Sequence, residues 1–399
     1  MLELSIDQQN AIDSILSWKN NPKNKYFVFG GAAGTGKTTI ISKLRSLLPS
    51  TIRIAFCAYT GKASSVLKNK LTFHGLQNYP NDSIGTIHSL IYEVEMEDGE
   101  MVGWKLKPCI PFDFIICDEA SMVSKEILDD LLSFQINILF VGDHFQLPPI
   151  EGSLNLMENP DIKLEKVHRF AENNPITLVT VLARTEGYIP HKHFSDLVRK
   201  VRPKDPLITD FINRSNDFQN STIICGFNKT RISLNQKIRD WRKIKSKKPT
   251  VGERVICLRN NRMAVECPIY NGVSGTLRNL IDNHDHYFAR IDIDGEDKPF
   301  KGKISKHSFN NEKPDMGEFT WEQPSIDDYV GYDKKKKMKK RYLDIFDFSY
   351  AITCHKSQGS EWDRVMVIEQ NCQHWSGDLW NRWLYTCVSR AKEELLIVR

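Results

Sequence analysis

The chain has 399 residues, enough for two or more domains, and 40% of it is hydrophobic, enough to bury real cores. Lysine and arginine total 55 against 50 aspartates and glutamates, and the formal charge of +5 is compatible with a nucleic-acid groove without requiring one. Nine scattered cysteines form no C-x-x-C pair and no Cys/His cluster at zinc spacing, so reduced, mostly buried thiols are expected. No apolar run reaches membrane length, and "MLELSIDQQNAIDSIL" has no basic segment ahead of an apolar core; a soluble, intracellular protein is expected.

In chain order, the first strong signal is the apolar run "YFVFGG", followed by a glycine-rich turn and by Ile40, Ile41, Leu44, Leu47 and Leu48 at helical spacing. Strand, turn and helix are predicted there. Further apolar runs, "RIAFCAYTG", "FDFIICDEAS" and "INILFVGDHFQ", each end in polar or glycine residues. They predict buried parallel strands whose carboxyl ends carry chemistry. After residue 180, "STIICGFN", "ERVICL", "RVMVIEQ" and "ELLIVR" predict a second sheet of the same kind, so the fold class expected is α/β with two lobes.

Two stretches break this alternation. Between Thr86 and Pro111, "EVEMEDGEMVGWKL" alternates around Asp98-Gly99, a hairpin signal. From about Pro268 to Tyr342, "YNGVSGTL", "HYFARIDIDGEDK" and "DKKKKMKKR" suggest a small β-barrel-like insertion. No internal repeat is visible beyond the similarity of the two lobes.

The stretch Gly31 to Thr38 fits G-x-x-x-x-G-K-[ST], the loop whose backbone N–H groups close around phosphates. Lys37 is expected at the β- and γ-phosphates and Thr38 on Mg²⁺. Asp118 and Glu119 follow an apolar strand, where an acid holds the metal ion and its neighbour activates the attacking water. Taken alone, an Asp-Glu pair is an ordinary solvated pair; its position after a strand and behind a phosphate loop reverses that. Gln146, in "GDHFQLPPI", has an amide suited to sensing a γ-phosphate, against the plainer reading of a turn fixed by Pro148-Pro149. Arg169 in "LEKVHRF" and Arg390 in "YTCVSRAKEE" are candidates for forked contacts with phosphate oxygens, although arginines are common on surfaces.

In order, the chain shows "IDQQNAI", "GGAAGTGKTT", "CAYTGKASSVL", "GTIHSL", "CDEAS", "GDHFQLPPI", "TCHKSQGSEWDR" and "YTCVSRAKEEL". This series resembles the superfamily 1 helicases and spans nearly the whole chain. "GDHFQLPP" and "HKSQGSE" resemble the subgroup that moves 5′ to 3′, the RecD-like and phage Dda-like DNA helicases. The resemblance implies two RecA-like P-loop lobes, at 1–85 with 112–180 and at 181–267 with 343–399. It implies a strand-separating hairpin at 86–111 and an SH3-like β-barrel insertion at 268–342. It implies ATP and Mg²⁺ as ligands, with Thr38 and Asp118 on the metal and Lys37, Asp118, Glu119, Gln146, Arg169 and Arg390 in catalysis. Gln8 would read the adenine edge, an amide pairing with N6 and N7. Gly31, Gly34, Thr35, Gly36, Lys37, Thr38, Thr39, Gln358, Gly359 and Glu361 would face the nucleotide.

Single-stranded DNA would run over Thr60, Lys62, Thr86, His88, Asn228, Thr353, His355 and Lys356. The expected partners are DNA single strands, single-strand/duplex junctions, and replication or recombination proteins. A monomer in the cytoplasm of a bacterial or phage-infected cell is expected. The hairpin is short with an acidic tip, and Trp104 reads equally as a wedge or as packing. The seven basic residues from Lys334 to Arg341 read first as a solvated face and second as a contact for DNA or an acidic partner. An RNA helicase of the same superfamily, and an ATP-switched clamp without unwinding, are the alternative readings.

Overall fold

The computed structural model describes residues 4–75, 78–97, 100–148, 154–165, 174–259, 269, 271–312, 343–370 and 375–399. Asp98-Gly99, Pro149, Arg169 and Lys334 to Arg341 lie outside them, as do the side chains of Lys62 and Trp104.

Helix α1 (Ile6–Asn20) starts at Ser5, whose hydroxyl accepts from the Gln8 N–H while the Gln8 amide oxygen accepts from the Ser5 N–H. This reciprocal cap satisfies two backbone donors that the first turn leaves without partners. There follow β1 (Tyr26–Gly31), α2 (Lys37–Leu47), β2 (Ile54–Ala58), α3 (Gly61–Phe73), β3 (Ser83–Thr86) and α4 (Ile87–Ile91). Strands β4 (Tyr92–Glu97) and β5 (Glu100–Leu106) pair antiparallel as a separate two-stranded ribbon. Next come β6 (Phe114–Asp118), α5 (Lys125–Ser133), β7 (Asn137–Gly142) and β8 (Ile162–Leu164). The first main sheet is parallel, in the order β3-β2-β6-β7-β1-β8. Strands β2, β6 and β7 are buried along nearly their whole length, which is why they read as unbroken apolar runs.

The second half contains α6 (Pro175–Thr185), β9 (Val198–Val201), α7 (Pro206–Arg214), β10 (Ser221–Cys225) and α8 (Asn228–Trp241). Helices α6 and α7 each begin with proline behind a capping Asn174 or Asp205, the position where proline's missing N–H costs nothing. Then come β11 (Arg254–Cys257), β12 (Ser274–Asp282), β13 (His286–Ile293), β14 (Phe300–Ser305) and β15 (Phe346–Phe348). The chain ends with β16 (Ala351–Thr353), α9 (Cys354–Ser357), β17 (Trp362–Ile368), α10 (Gly377–Val388) and β18 (Ala391–Val398). The second main sheet is also parallel, in the order β16-β10-β17-β18-β9. The third is antiparallel, in the order β14-β13-β12-β11-β15.

One strand differs from the sequence reading. "ERVICL" was expected in the second parallel sheet, yet its β11 pairs antiparallel with β12 and β15 in the third. The reason is burial on both faces. Val255 and Cys257 point into the core of the antiparallel sheet, while Ile256 joins the core of the second parallel sheet. A strand between two cores is apolar at every position, and such a run does not disclose which sheet it hydrogen-bonds into. The strands of the third sheet therefore start at Arg254 and close at Phe348, outside the 268–342 window. Among the described residues no helix is long and apolar enough to cross a membrane.

Candidate functional site

The phosphate loop leaves the carboxyl end of β1 and enters α2. Gly36 sits at φ 84°, a left-handed conformation that a side chain would strain, and it caps the helix without a side-chain bond. The Lys37 ammonium donates to the carbonyls of Gly31 (2.7 Å) and Ala32 (3.1 Å), so it is folded back over the loop. Thr35 is buried, its hydroxyl donating to Ala32 O. Gly34, Thr38 and Thr39 complete the loop and the first turn of α2. Gln8 is engaged on both sides of its amide: Oε1 takes the Ser5 N–H and Nε2 donates to Thr35 O at 3.0 Å. The cap of α1 is thereby tied to the phosphate loop.

Two strands away, β6 delivers Asp118 and Glu119. The Asp118 carboxylate accepts the Glu119 N–H at 2.9 Å. Burial raises the Asp118 pKa, opposed first by Lys37. Glu119 is pushed up to about 7 by burial and then by Asp118, while Arg390 and Lys37 pull it down. Its backbone lies at φ 54°, a strained conformation for a residue with a side chain, of the kind that costs on the order of 1–3 kcal/mol. Its Oε2 is buried, as is Oε1 of Gln146, and neither has a partner among the described residues. Buried acceptors without partners are rare in proteins and gather where a ligand supplies the missing donor.

Arg390 comes from the opposite sheet and still lies within electrostatic reach of Glu119. It is buried, donating to Thr386 O (3.1 Å), Ser360 O (3.4 Å) and the Ser389 hydroxyl (2.9 Å). Glu361 acts on both Asp118 and Glu119, raising their pKa values. Gly359 approaches the first sheet so closely that a Cβ there would stand 2.8 Å from Met122 Sδ. Gln358 does not project freely; its amide donates to Leu147 O at 2.6 Å. Lys37, Asp118, Glu361 and Arg390 thus all act on Glu119, a cluster drawn from both parallel-sheet lobes. For a metal, Thr38 and Asp118 offer two hard oxygen donors, and among the described residues no three His, Cys, Asp or Glu side chains are placed to hold an ion together. Such a sparse oxygen set fits Mg²⁺, which keeps several waters and takes phosphate oxygens besides one or two protein ligands.

The nucleic-acid candidates lie at the carboxyl edges of both sheets. Thr60 and Thr86 cap α3 and α4, their hydroxyls accepting from Ala63 N–H and Ser89 N–H. The register Ala58↔Thr86 puts Thr86 at the end of β3 beside the end of β2, and Thr60 follows two residues beyond it. On the other sheet, Cys225↔Thr353 brings the start of α8 beside α9, so that Asn228, Thr353, His355 and Lys356 form a second group. Asn228 is exposed and accepts from Arg231 Nε at 3.3 Å. His355 is partly buried, and burial lowers its pKa. His88 is buried between Tyr59 and Tyr92, with ring centroids at 5.7 and 5.8 Å, so it packs before it can contact a ligand.

Four further residues had no role in the sequence reading, Asp143, Tyr385 and Thr386 lying within its motifs and Arg382 just outside them. Tyr385 accepts from the Ala33 N–H (2.7 Å) and donates to Asp143 Oδ2 (2.5 Å). Arg382 donates to the carbonyls of His144 (2.8 Å) and Gln146 (3.3 Å), and Thr386 accepts from the Leu147 N–H (3.0 Å). Their nearness to the recognised motifs was the only signal, because each contact joins positions more than 200 residues apart.

Residues 3–194 match the AAA domain family, and residues 348–398 match the UvrD-like helicase C-terminal domain family. The ATP-dependent RecD2 DNA helicase of Deinococcus radiodurans is 30% identical over 186 residues, covering 43% of this chain and 23% of that protein. The RecBCD enzyme subunit RecD of Buchnera aphidicola (subsp. Schizaphis graminum) is 24% identical over 440 residues, covering 94% of this chain and 70% of that protein. Among solved structures, the Pif1 helicase from Bacteroides in complex with ADP-AlF3 and ssDNA superposes with a TM-score of 0.50 at 19% identity, covering 100% of this chain and 92% of that one. That likeness concerns the fold.

Proposed function

We infer that the chain is a superfamily 1 helicase of the RecD-like group, an ATP-driven motor moving 5′ to 3′ on single-stranded DNA and unwinding duplex ahead of it. The observation that carries this reading is the charged cluster around Glu119. Lys37, Asp118 and Glu119 come from one parallel sheet and Arg390 from the other, so a nucleotide held there touches both lobes.

In this reading Lys37 leaves the Gly31 and Ala32 carbonyls for the β- and γ-phosphates. Glu119 takes the proton of the attacking water through its unpartnered Oε2. Its pKa near 7 suits a base that must both hold and release a proton at neutral pH. Gln146, with an amide oxygen also unpartnered, senses the γ-phosphate. Bound at Thr38 and Asp118, Mg²⁺ would neutralise charge on the β- and γ-phosphates. Arg390 stabilises the transition state once the lobes close, a contribution on the order of 10³–10⁵ in comparable enzymes. Arg169 is retained as a second cation on the strength of the motif alone. Gln8 reads the adenine edge only by exchanging its bonds to Ser5 and Thr35, which would make base recognition and loop position a single event.

The track for the strand runs over Thr60, Lys62 and Thr86 on one lobe and Asn228, Thr353, His355 and Lys356 on the other, while His88, buried between Tyr59 and Tyr92, supports the first group. Three of these are helix caps at strand ends, where backbone N–H groups favour phosphate. Translocation requires that each group grip the strand differently in closed and open states, since equal affinity would shift nothing. We assign the β4–β5 ribbon as the strand-separating pin and the antiparallel sheet as the SH3-like insertion. The partners are DNA single strands and forks, and the setting is replication, recombination or repair.

The test is unwinding of duplexes carrying a 5′ or a 3′ single-strand tail, with Lys37→Ala as the control. Activity on the 5′-tailed substrate alone, abolished by the substitution, is expected. Efficient unwinding from a 3′ tail overturns the polarity, action on RNA duplexes alone supports the RNA reading, and strand-stimulated hydrolysis without any unwinding supports the clamp.

A further inference from the structure

The phosphate loop, the 143–147 loop and helix α10 meet at Tyr385, which none of the roles above uses. Its ring is 2% exposed, as is Asp143. A carboxylate can only accept, so the hydroxyl proton lies between Tyr385 and Asp143, and the oxygen's lone pair faces the Ala33 N–H. The order Ala33 N–H to Tyr385 O–H to Asp143 carboxylate is therefore set by chemistry, and each bond polarises the next. Both ends of this chain belong to loops of the first sheet, while its middle belongs to the second.

The surroundings make α10 a lever. Arg382, Tyr385 and Thr386, neighbours on consecutive turns, hold the 143–147 loop through His144 O, Gln146 O, Asp143 and Leu147 N–H. Leu147 itself lies in the core of the second sheet. Five residues beyond Tyr385 stands Arg390, its Nε bonded back to Thr386 O of the same helix. Plain interlobe packing would explain a buried tyrosine beside a buried aspartate. It does not explain why the hydrogen-bond chain ends on an amide of the loop that must close around phosphates.

We propose that Tyr385 is the positioning residue that transmits occupancy of the phosphate loop to helix α10 and so sets where Arg390 stands. The proposal rests on the reading of the chain as an ATP-driven DNA motor. Movement of the Ala33 peptide as the loop closes alters its bond to Tyr385. Asp143 then follows, and with it the loop that carries Gln146. One hydroxyl thus links the γ-phosphate sensor, the phosphate loop and the arginine of the opposite lobe.

Tyr385→Phe keeps the ring against Phe145 (centroids 6.1 Å apart) and deletes only the bridging oxygen. The full chain is assayed for ATP turnover with and without an oligothymidylate strand, and for binding of a non-hydrolysable ATP analogue. The expected result is a DNA-stimulated kcat lowered by about tenfold or more while analogue affinity stays within about threefold, a loss in kcat and not in KM. A stimulated kcat within about twofold of the parent, or a loss confined to KM, overturns the proposal. Asp143→Asn leaves an acceptor for the hydroxyl but removes the charge. If the two residues act as one chain, the double variant is no worse than Tyr385→Phe alone, and additive losses overturn the proposal. Should Tyr385→Phe not fold, Asp143→Asn decides: a lowered stimulated kcat supports the chain, and an unchanged one ends it. Failure of the motor reading shows separately, as a parent protein whose turnover ignores DNA.

Discussion

Two glutamates in this molecule, Glu253 fully buried and Glu119 half-buried with one buried carboxylate oxygen, are treated in opposite ways. Glu253, beneath α8, is 1% exposed and fully partnered. Arg239 reaches both of its oxygens, at 2.8 and 3.2 Å, and Thr250 donates through its N–H (2.7 Å) and hydroxyl (3.0 Å). The Tyr350 hydroxyl adds a fifth bond at 3.0 Å. Glu119, in the charged cluster, has one oxygen without a partner, a strained backbone and a pKa lifted to about 7. The first site holds charge in one geometry, as structural ion pairs do. The second keeps its charge poorly compensated, which is what a group that must exchange protons requires.

Substitutions separate the two sites, the largest effect first. If Glu119 is the base proposed above, Glu119→Gln removes it, and turnover should fall on the order of 10²–10⁴. The same variant should be more stable than the parent at high pH. A folded-state pKa of about 7 against an ordinary value of 4.5 means the fold prefers the protonated form. The parent is fully stable in this respect below pH 4.5 and loses stability as pH rises through about 7, whereas the glutamine variant has no such loss. Melting curves at pH 5 and pH 8 read this directly; a variant less stable than the parent at pH 8 would show that Glu119 is a structural acid after all. Turnover of the parent should also decline as pH falls below about 7, above the ordinary carboxylate range.

Next in size, Arg239→Met leaves Glu253 buried without its cation and should cost roughly 3–5 kcal/mol, read as a lowered denaturation midpoint. Turnover per folded molecule should be unchanged, because Arg239 reaches no residue of that cluster; a selective loss of turnover would dissolve the distinction between the two regions.

The smallest effect sharpens the same contrast on the surface. Arg53 holds Asp113 down to about 2 through hydrogen bonds to its carboxylate, yet both side chains are nearly half exposed, at 47% and 44%. Solvent screens such a pair, so Arg53→Ala should leave the thermal midpoint unchanged within error. A clear drop would mean that the pKa shift, and not the exposure, is the better guide to stability here.

Much of this was legible in the chain. The runs "YFVFGG", "FDFIICDEAS" and "STIICGFN" became strands because a buried parallel strand is apolar throughout, a local property. Strands β3, β8, β9 and β16 have only three or four residues each, too short for any period to show. Of the site, the phosphate loop and the Asp118-Glu119 pair could be recognised because glycines, lysine and acids must occur at fixed local offsets. Gln8 was recognisable by its motif, but its bond to Thr35 was not, since that partner lies 27 residues away.

The strand–turn–helix of the phosphate loop, the carboxyl-end placement of the acids and the α/β class could be read from the residues alone, because each follows from neighbours within one or two turns of chain. Only the tertiary structure decided that β11 belongs to the antiparallel sheet, that Arg390 acts on Glu119, and that Tyr385 joins Ala33 to Asp143. These depend on which surfaces the two lobes press together, and a hydrogen bond across 352 residues leaves no periodicity for a sequence to display.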